Sequence, residues 1–191
     1  MNLISNNANY ELIVMNSCFI CNIGYADTTK SAREFIENIK ERHTDATHNC
    51  YAYILKDTAA SSDDGEPIHS ASLPIMNVLK KQNLINVVCV ITRYFGGIKL
   101  GVSGLARAYT KCTAECLKNI VIKPYVENVK IAFTVTYNQL NIVENLLLDY
   151  IQNDKTFNES IVLEYTVPIQ KLDSVKKMLH NINIQKIDTV K

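Results

Sequence analysis

The sequence has no surplus of charge of either sign. Twenty Lys and Arg residues stand against 19 Asp and Glu, a formal net charge of +1. No global field therefore drives the chain toward nucleic acid or an anionic membrane, and any such binding has to come from a local patch. It also lacks any apolar run near the ~18 residues that a membrane-spanning helix needs, so no membrane association is expected. Met1 to Tyr10 is polar, without the charged and apolar regions of a signal peptide, and the expected location is cytoplasmic. Low-complexity tracts and internal repeats are missing as well. The remainder is ordinary: 47% hydrophobic and 20% charged residues describe a soluble globular protein and exclude disordered, collagen-like and coiled-coil chains. A length of 191 residues accommodates one domain or two small ones, and the pattern argues for two.

Six cysteines in a cytosolic chain are expected to be reduced, which leaves metal binding to be tested. Cys18 and Cys21 form C-x-x-C, and Cys112 and Cys116 form C-x-x-x-C, enough thiolates for a zinc site. However, Cys18 to Cys21 lies in a strand-like run, where an odd separation sends the two side chains to opposite faces. Cys112 and Cys116 continue the apolar face of a helix, and Cys50 and Cys89 sit inside strand-like stretches. All are normal places for a small buried hydrophobe. Neither a metal nor a cofactor is expected.

Strand signals appear at Tyr10 to Met15 and Ser17 to Tyr25. Asp27 or Thr28 can cap a helix striped by Ala32, Phe35, Ile36 and Ile39 that ends near His43. Asn49 to Lys56 reads as a strand and Asp57 to Pro67 as a loop rich in turn formers. A short helix follows with Pro74 in its first turn and Met76, Val78 and Leu79 facing inward. Asn86 to Thr92, apolar on both faces, is the candidate central strand. It leads through a glycine-rich segment into a long helix, with Leu105, Ala108, Tyr109, Cys112, Cys116 and Ile120 on one face and Arg107, Lys111, Glu115 and Lys118 on the other. A break is expected at Lys123-Pro124-Tyr125.

Beyond the break, Ile131, Phe133 and Val135 alternate, and Leu140, Val143, Leu147 and Tyr150 stripe a helix. A short strand is expected near Lys155 to Phe157. Ile161, Leu163, Tyr165 and Val167 alternate, Leu172, Val175, Leu179 and Ile182 stripe another helix, and Gln185 to Val190 supplies a last strand. This is the βαββαβ order of ferredoxin-like domains. The expected division is residues 1–123 and 128–191.

Chemistry concentrates in three places. Four of the six glycines, Gly96, Gly97, Gly101 and Gly104, fall between a strand and a helix, where a turning backbone can aim N–H groups at an anion. From Arg93 to Lys111 the charged residues are Arg93, Lys99, Arg107 and Lys111, with no acidic residue, so a phosphate contact is the natural reading. Neither the P-loop nor the dinucleotide fingerprint is matched. The second place is acidic: Asp57, Asp63, Asp64 and Glu66, with no basic residue among them. It reads as a solvated turn, as an Mg²⁺ or acid/base site, or as a brace paired with Arg93 or Lys99. The third is His48, with Cys50 two residues on and so on the same strand face, an arrangement open to a nucleophile pair or to mere strand neighbours.

The blocks Asp45-Ala46-Thr47-His48-Asn49-Cys50, Asp63-Asp64-Gly65-Glu66-Pro67 and Arg93-Tyr94-Phe95-Gly96-Gly97-Ile98-Lys99-Leu100-Gly101, followed by Gly104-Leu105 and Ala108-Tyr109, closely resemble the IMPACT/YigZ family over about residues 15 to 120. The rest resembles, more weakly, the small domain of bacterial two-domain members. The resemblance implies an α+β protein. Its first part would be a two-layer α/β domain with a left-handed βαβ unit, as in a ribosomal small-subunit protein and domain IV of elongation factor G. Its second part would be a ferredoxin-like domain similar to that factor's domain V. Eukaryotic relatives restrain the amino-acid-starvation branch of translational control, partly through an extra N-terminal domain. Bacterial two-domain members have no settled activity. This chain departs from the pattern at Cys18, where a basic residue is usual, at His69 to Ser72, where Gly-Thr-Ala-Gly is usual, and at Ser103, where glycine is frequent. Ser72 and Ser103 are expected to cap helices.

Two functions follow as expectations. The first is a non-enzymatic, translation-associated regulator that binds RNA, the ribosome or translation factors through Arg93, Lys99, Arg107 and Lys111, placed by Gly96, Gly97, Gly101 and Gly104. The second is an Mg²⁺-dependent phosphate-handling hydrolase or transferase using Asp63, Asp64, Glu66 and His48.

Overall fold

Alternation along Ser17–Tyr25 sends Ser17, Phe19, Cys21 and Ile23 into the interior and leaves the residues between them half-buried. This strand, β3, follows β1 (Asn2–Ile4) and β2 (Ala8–Val14) in a computed structural model that describes residues 1–184 and 186–190. Residues Met1–Tyr125 form one compact unit and Val126–Lys191 a second.

In the first unit the order continues α1 (Thr29–Arg42), β4 (His48–Ile54), β5 (Ala59–Ser62), α2 (Ser72–Lys81), β6 (Val87–Tyr94), α3 (Gly101–Leu117) and β7 (Ile122–Pro124). The five-stranded sheet runs β2-β3-β6-β4-β5 with antiparallel neighbours. Since β3 and β4 are both antiparallel to β6, they are parallel to each other, with α1 joining them across it. The expected central strand is β6, buried from Val87 through Arg93. Its two faces explain the run: Val87, Cys89 and Ile91 pack with α2 and α3, whereas Val88 and Val90 pack with Ala32, Ile36 and Ile39 of α1. Helices therefore cover both faces of the sheet, and the expected two-layer arrangement is corrected to three layers.

Other expectations shift for local reasons. The turn joining β2 to β3 is Met15-Asn16, both at positive φ (45° and 63°), the backbone that a two-residue hairpin loop demands. Thr28 caps α1 through a capping box with Ser31. The expected loop from Asp57 contains the edge strand β5, paired with β4. At the expected break, Lys123-Pro124-Tyr125, the first unit ends at Tyr125, and Ile122–Pro124 just before it form a short strand, β7, paired with β1 at the chain start. Gly101 and Gly104, expected in a loop, lie in the first turn of α3. Neither Ser72 nor Ser103 caps a helix: Ser72 is the first residue of α2, and Ser103 lies inside α3.

The second unit comprises β8 (Asn128–Val135), α4 (Tyr137–Leu146), β9 (Ile151–Phe157), β10 (Ile161–Pro168), α5 (Leu172–His180) and β11 (Ile187–Val190). Its antiparallel sheet runs β11-β8-β10-β9. Ile131, Phe133, Val135, Ile161, Leu163, Tyr165 and Val167 form one sheet face against Val143, Val175 and Leu179 of the helices and Leu147, which caps α4; the helix thus ends before Leu147 and Tyr150 of the expected stripe. Phe133 and Tyr165 stack with ring centroids 6.0 Å apart. Strand β9 is longer than the expected Lys155 to Phe157 because it is an exposed edge, where polar residues carry no alternation signal. Of the expected last strand, Gln185 lies outside the described residues. Among those described, no helix is long and apolar enough to cross a membrane.

Candidate ligand and anion-binding site

The acidic turn is built tightly. Asp64 and Gly65 take φ of 44° and 88°, and within this turn the three carboxylates face in different directions. Asp63 accepts backbone N–H bonds from His69 at 2.9 Å, Ala71 at 3.0 Å and Ser72 at 2.8 Å, and so satisfies the start of α2 from a distance. Partial burial works to raise its pKa, but the backbone bonds from Ser72, His69 and Ala71 outweigh that and hold the carboxyl below its ordinary value. Asp64 Oδ2 accepts from the Asn49 N–H at 2.6 Å. Glu66 turns inward: its side chain is 2% exposed, and Oε1 accepts from Arg93 Nη1 at 2.6 Å and from the Tyr109 hydroxyl at 2.9 Å.

Because three backbone donors depend on one carboxylate, Asp63→Ala is expected to cost about 2 kcal/mol. The sign in pH follows from the depressed pKa. The contribution is present above the unfolded carboxyl's pKa and is lost as pH falls through the lower folded value. Acid unfolding of wild type and Asp63→Ala, followed side by side, should show the difference between them shrinking below pH 4. A constant difference down to the acid limit would mean that the charge plays no part.

The cations divide as sharply. Arg93, expected to contact anions, is instead 5% exposed and paired with Glu66, its guanidinium carbon 5.4 Å from the Phe19 ring and 5.5 Å from the Phe95 ring. The acidic block thus braces the glycine segment through Arg93. Lys99, Arg107 and Lys111 are exposed. Gly96 donates its N–H to Ser17 Oγ at 3.1 Å, and Gly97 stands at φ 87° in open space. At His69, where the family pattern has glycine, the backbone holds φ 62°.

His48 and Cys50 do not bond to each other. His48 Nδ1 bonds the Asp64 carbonyl at 2.8 Å, while the Cys50 thiol donates to the Asp63 carbonyl at 3.0 Å and lies 3.3 Å from the Tyr109 hydroxyl. Burial pushes Cys50 up to about 12, so it is a protonated thiol at neutral pH and no nucleophile. Burial, with Cys50 and Glu66 beside it, also pushes Tyr109 well up, which keeps its hydroxyl a donor. Cys21, Cys89, Cys112 and Cys116 are free and buried in the main core of the unit. Among the described residues no group of three or more His, Cys, Asp and Glu is placed to hold a metal ion.

Two grooves flank the start of α3. One, of about 360 Å³, brings His48, Glu66 and Arg93 together with Phe95, Lys99 and Gly101. Asp63 and Asp64 do not line it. The other, of about 270 Å³, is lined by Arg107, Lys111 and Gly104 against Met15. Leu100 lines both. Sequence reasoning missed Tyr109 and Ser17 as polar members of the site. Tyr109 was hidden in an apolar stripe, while Ser17 shares the inward parity of Phe19 and Cys21, a signal that was legible.

Residues 15–117, from the hairpin turn to the end of α3, match the Impact N-terminal domain, so the matched segment contains the larger groove and all of the smaller one except Val14. Over 187 residues the chain is 35% identical to the IMPACT family member YvyE of Bacillus subtilis (strain 168), covering 94% of this chain and 85% of that protein. Over 139 residues it is 30% identical to the IMPACT family member YigZ of Escherichia coli (strain K12), covering 70% and 68%. A crystal structure of a hypothetical protein shares the fold, with a TM-score of 0.69 at 24% identity, covering 99% of this chain and 95% of that one. The chain belongs to the IMPACT family.

Proposed function

We propose that the protein is a non-enzymatic, translation-associated regulator that binds RNA, or ribosomal and translation-factor partners, through Lys99, Arg107 and Lys111. The observation that carries this is the exposure of Lys99 before α3 and of Arg107 and Lys111 within it, each lining one of the two grooves, in a stretch of sequence that holds no acidic residue. Gly96, Gly97, Gly101 and Gly104 shape the approach to it, and Arg93 is assigned to the scaffold. The βαββαβ order of the second unit is that of ferredoxin-like domains. In the first, the parallel pair β3 and β4 joined by α1 around β6 is a βαβ connection, which suits the left-handed βαβ unit that the family resemblance implies. Both support the reading of residues 1–123 and 128–191 as elongation-factor-like domains IV and V, and hence of a partner in the translation machinery.

The test is sedimentation with RNA and ribosomes across a salt series. Arg107→Ala with Lys111→Ala removes two exposed charges from a helix face and introduces the best helix former, so stability should change by less than about 0.5 kcal/mol. Affinity should fall, and the slope of log affinity against log salt should shrink by ~0.7 to 0.9 for each phosphate that is no longer neutralised. A double variant that binds like wild type at every salt concentration makes the strip a solvated surface and ends this reading.

A further inference from the structure

The larger groove has a polar floor with hydrogen-bonding capacity to spare. The Asp64 carbonyl can only accept, so its 2.8 Å bond places the hydrogen of His48 on Nδ1, and in the neutral ring Nε2 presents a lone pair. Glu66 Oε1 is occupied by Arg93 and Tyr109, whereas Oε2 lies 4.0 Å from His48 Nε2, too far for a hydrogen bond. With the ring neutral, two acceptors stand 4.0 Å apart with no hydrogen between them. One nitrogen carrying two hydrogens satisfies both, since two bonds of about 2.9 Å from a single atom span such a gap at an angle near ~90°. A second, independent sign lies beside them: Arg93, 5% exposed, lines the same groove, and its Nε has no hydrogen-bond partner. Buried donors are ordinarily paired.

The walls and the rim have a different character. Leu100, Val102 and Leu105 make the groove apolar, and Phe95, 45% exposed, offers a ring face on which a flat group can stack. At the rim stand the exposed Lys99 and the start of α3, which has no side-chain cap and no acidic residue in its first turn. Its N–H groups and its dipole favour an anion there. The volume, about 360 Å³, suits a small organic molecule.

We propose that this groove binds one nucleotide whose base carries an exocyclic amino group. The amino group sits between His48 Nε2 and Glu66 Oε2, the ring lies against Phe95, and the phosphate meets Lys99 and the first turn of α3. The ligand is either a free nucleoside monophosphate or one unstacked residue of an RNA strand. In the second case the inference deepens the RNA reading above and rests on it.

The experiment is calorimetric titration of the full chain with AMP, CMP and UMP, and with oligo(A) and oligo(U). AMP and CMP should bind at least ~10-fold more tightly than UMP, which has no amino group. His48→Ala should weaken AMP and CMP by about 10-fold and leave UMP unchanged, a pattern that a merely structural role would not produce. Lys99→Ala should weaken all three alike. Val102→Trp, at a position 58% exposed on the helix, should fill the groove and abolish binding without lowering the melting temperature. If the ligand is an RNA residue, only the oligonucleotides bind, oligo(A) above oligo(U), and His48→Ala and Val102→Trp both weaken oligo(A). The proposal is overturned if neither variant alters any of these ligands, or if UMP binds as tightly as AMP. Nucleotide binding that survives Arg107→Ala with Lys111→Ala, in a protein that ignores ribosomes and RNA, would keep the groove and discard the RNA reading.

Discussion

Arg93→Met should remove about 3 to 5 kcal/mol from the stability of the first unit. The side chain is 6% exposed and its partner Glu66 is 2% exposed, so the substitution leaves a carboxylate out of water with the Tyr109 hydroxyl as its hydrogen-bond donor and His48 Nε2 4.0 Å away. The loss measures that stranded charge rather than the net worth of the pair. Neutralising the partner should therefore restore much of it: Arg93→Met with Glu66→Gln is expected to be more stable than Arg93→Met alone, a coupling that a double-mutant cycle reads directly. Two units need not unfold together, so amide exchange along β6 is the appropriate observable. A cost under about 1 kcal/mol would show that water reaches Glu66 and that the brace is not what holds the glycine segment.

Gly96→Ala should be nearly as damaging, whereas its neighbour Gly97→Ala should not. A Cβ at Gly96 would land on the backbone of Asn16 and Ser17 in the β2–β3 turn, where no flexible side chain can give way. Either the hairpin shifts or the Gly96 N–H loses Ser17 Oγ, at a cost of about 3 kcal/mol. Gly97 has open space around it and only its φ of 87° to lose, which is worth about 1 to 2 kcal/mol. Thermal unfolding of the two alanine variants should therefore separate by several degrees, with Gly96→Ala lower. Equal melting temperatures would mean that the hairpin turn is soft enough to move aside.

The contrast between these glycines shows what a linear reading misses. As a cluster they signalled a special loop, and two of them turned out to open a helix. The same holds for the four cations, which look alike in the sequence. Period two along β6 puts Arg93 on the face of Val87, Cys89 and Ile91, so its burial was legible from parity. What it pairs with was not, because Glu66 arrives from a turn 27 residues away. Asp63 likewise takes over the start of α2 from the expected Ser72, by bonds spanning six to nine residues that leave no periodic trace.

By itself the sequence determined the elements whose burial repeats along the chain. These are the striped helices α1, α3, α4 and α5, the alternating strands β3, β8 and β10, and β6, whose apolar run required cover on both faces. It also determined where charge is one-signed, and its long motifs determined the family. Tertiary structure alone decided the rest. Strands β1, β5 and β7, and the part of β9 before Lys155, are short or exposed and exist because a neighbour offers them hydrogen bonds. The pairing of Arg93 with Glu66, and the meeting of His48 with Glu66 beside α3, depend on distance in space. Hydrophobic periodicity is a local signal, whereas the partner of a polar group is fixed only when the backbone has been folded around it.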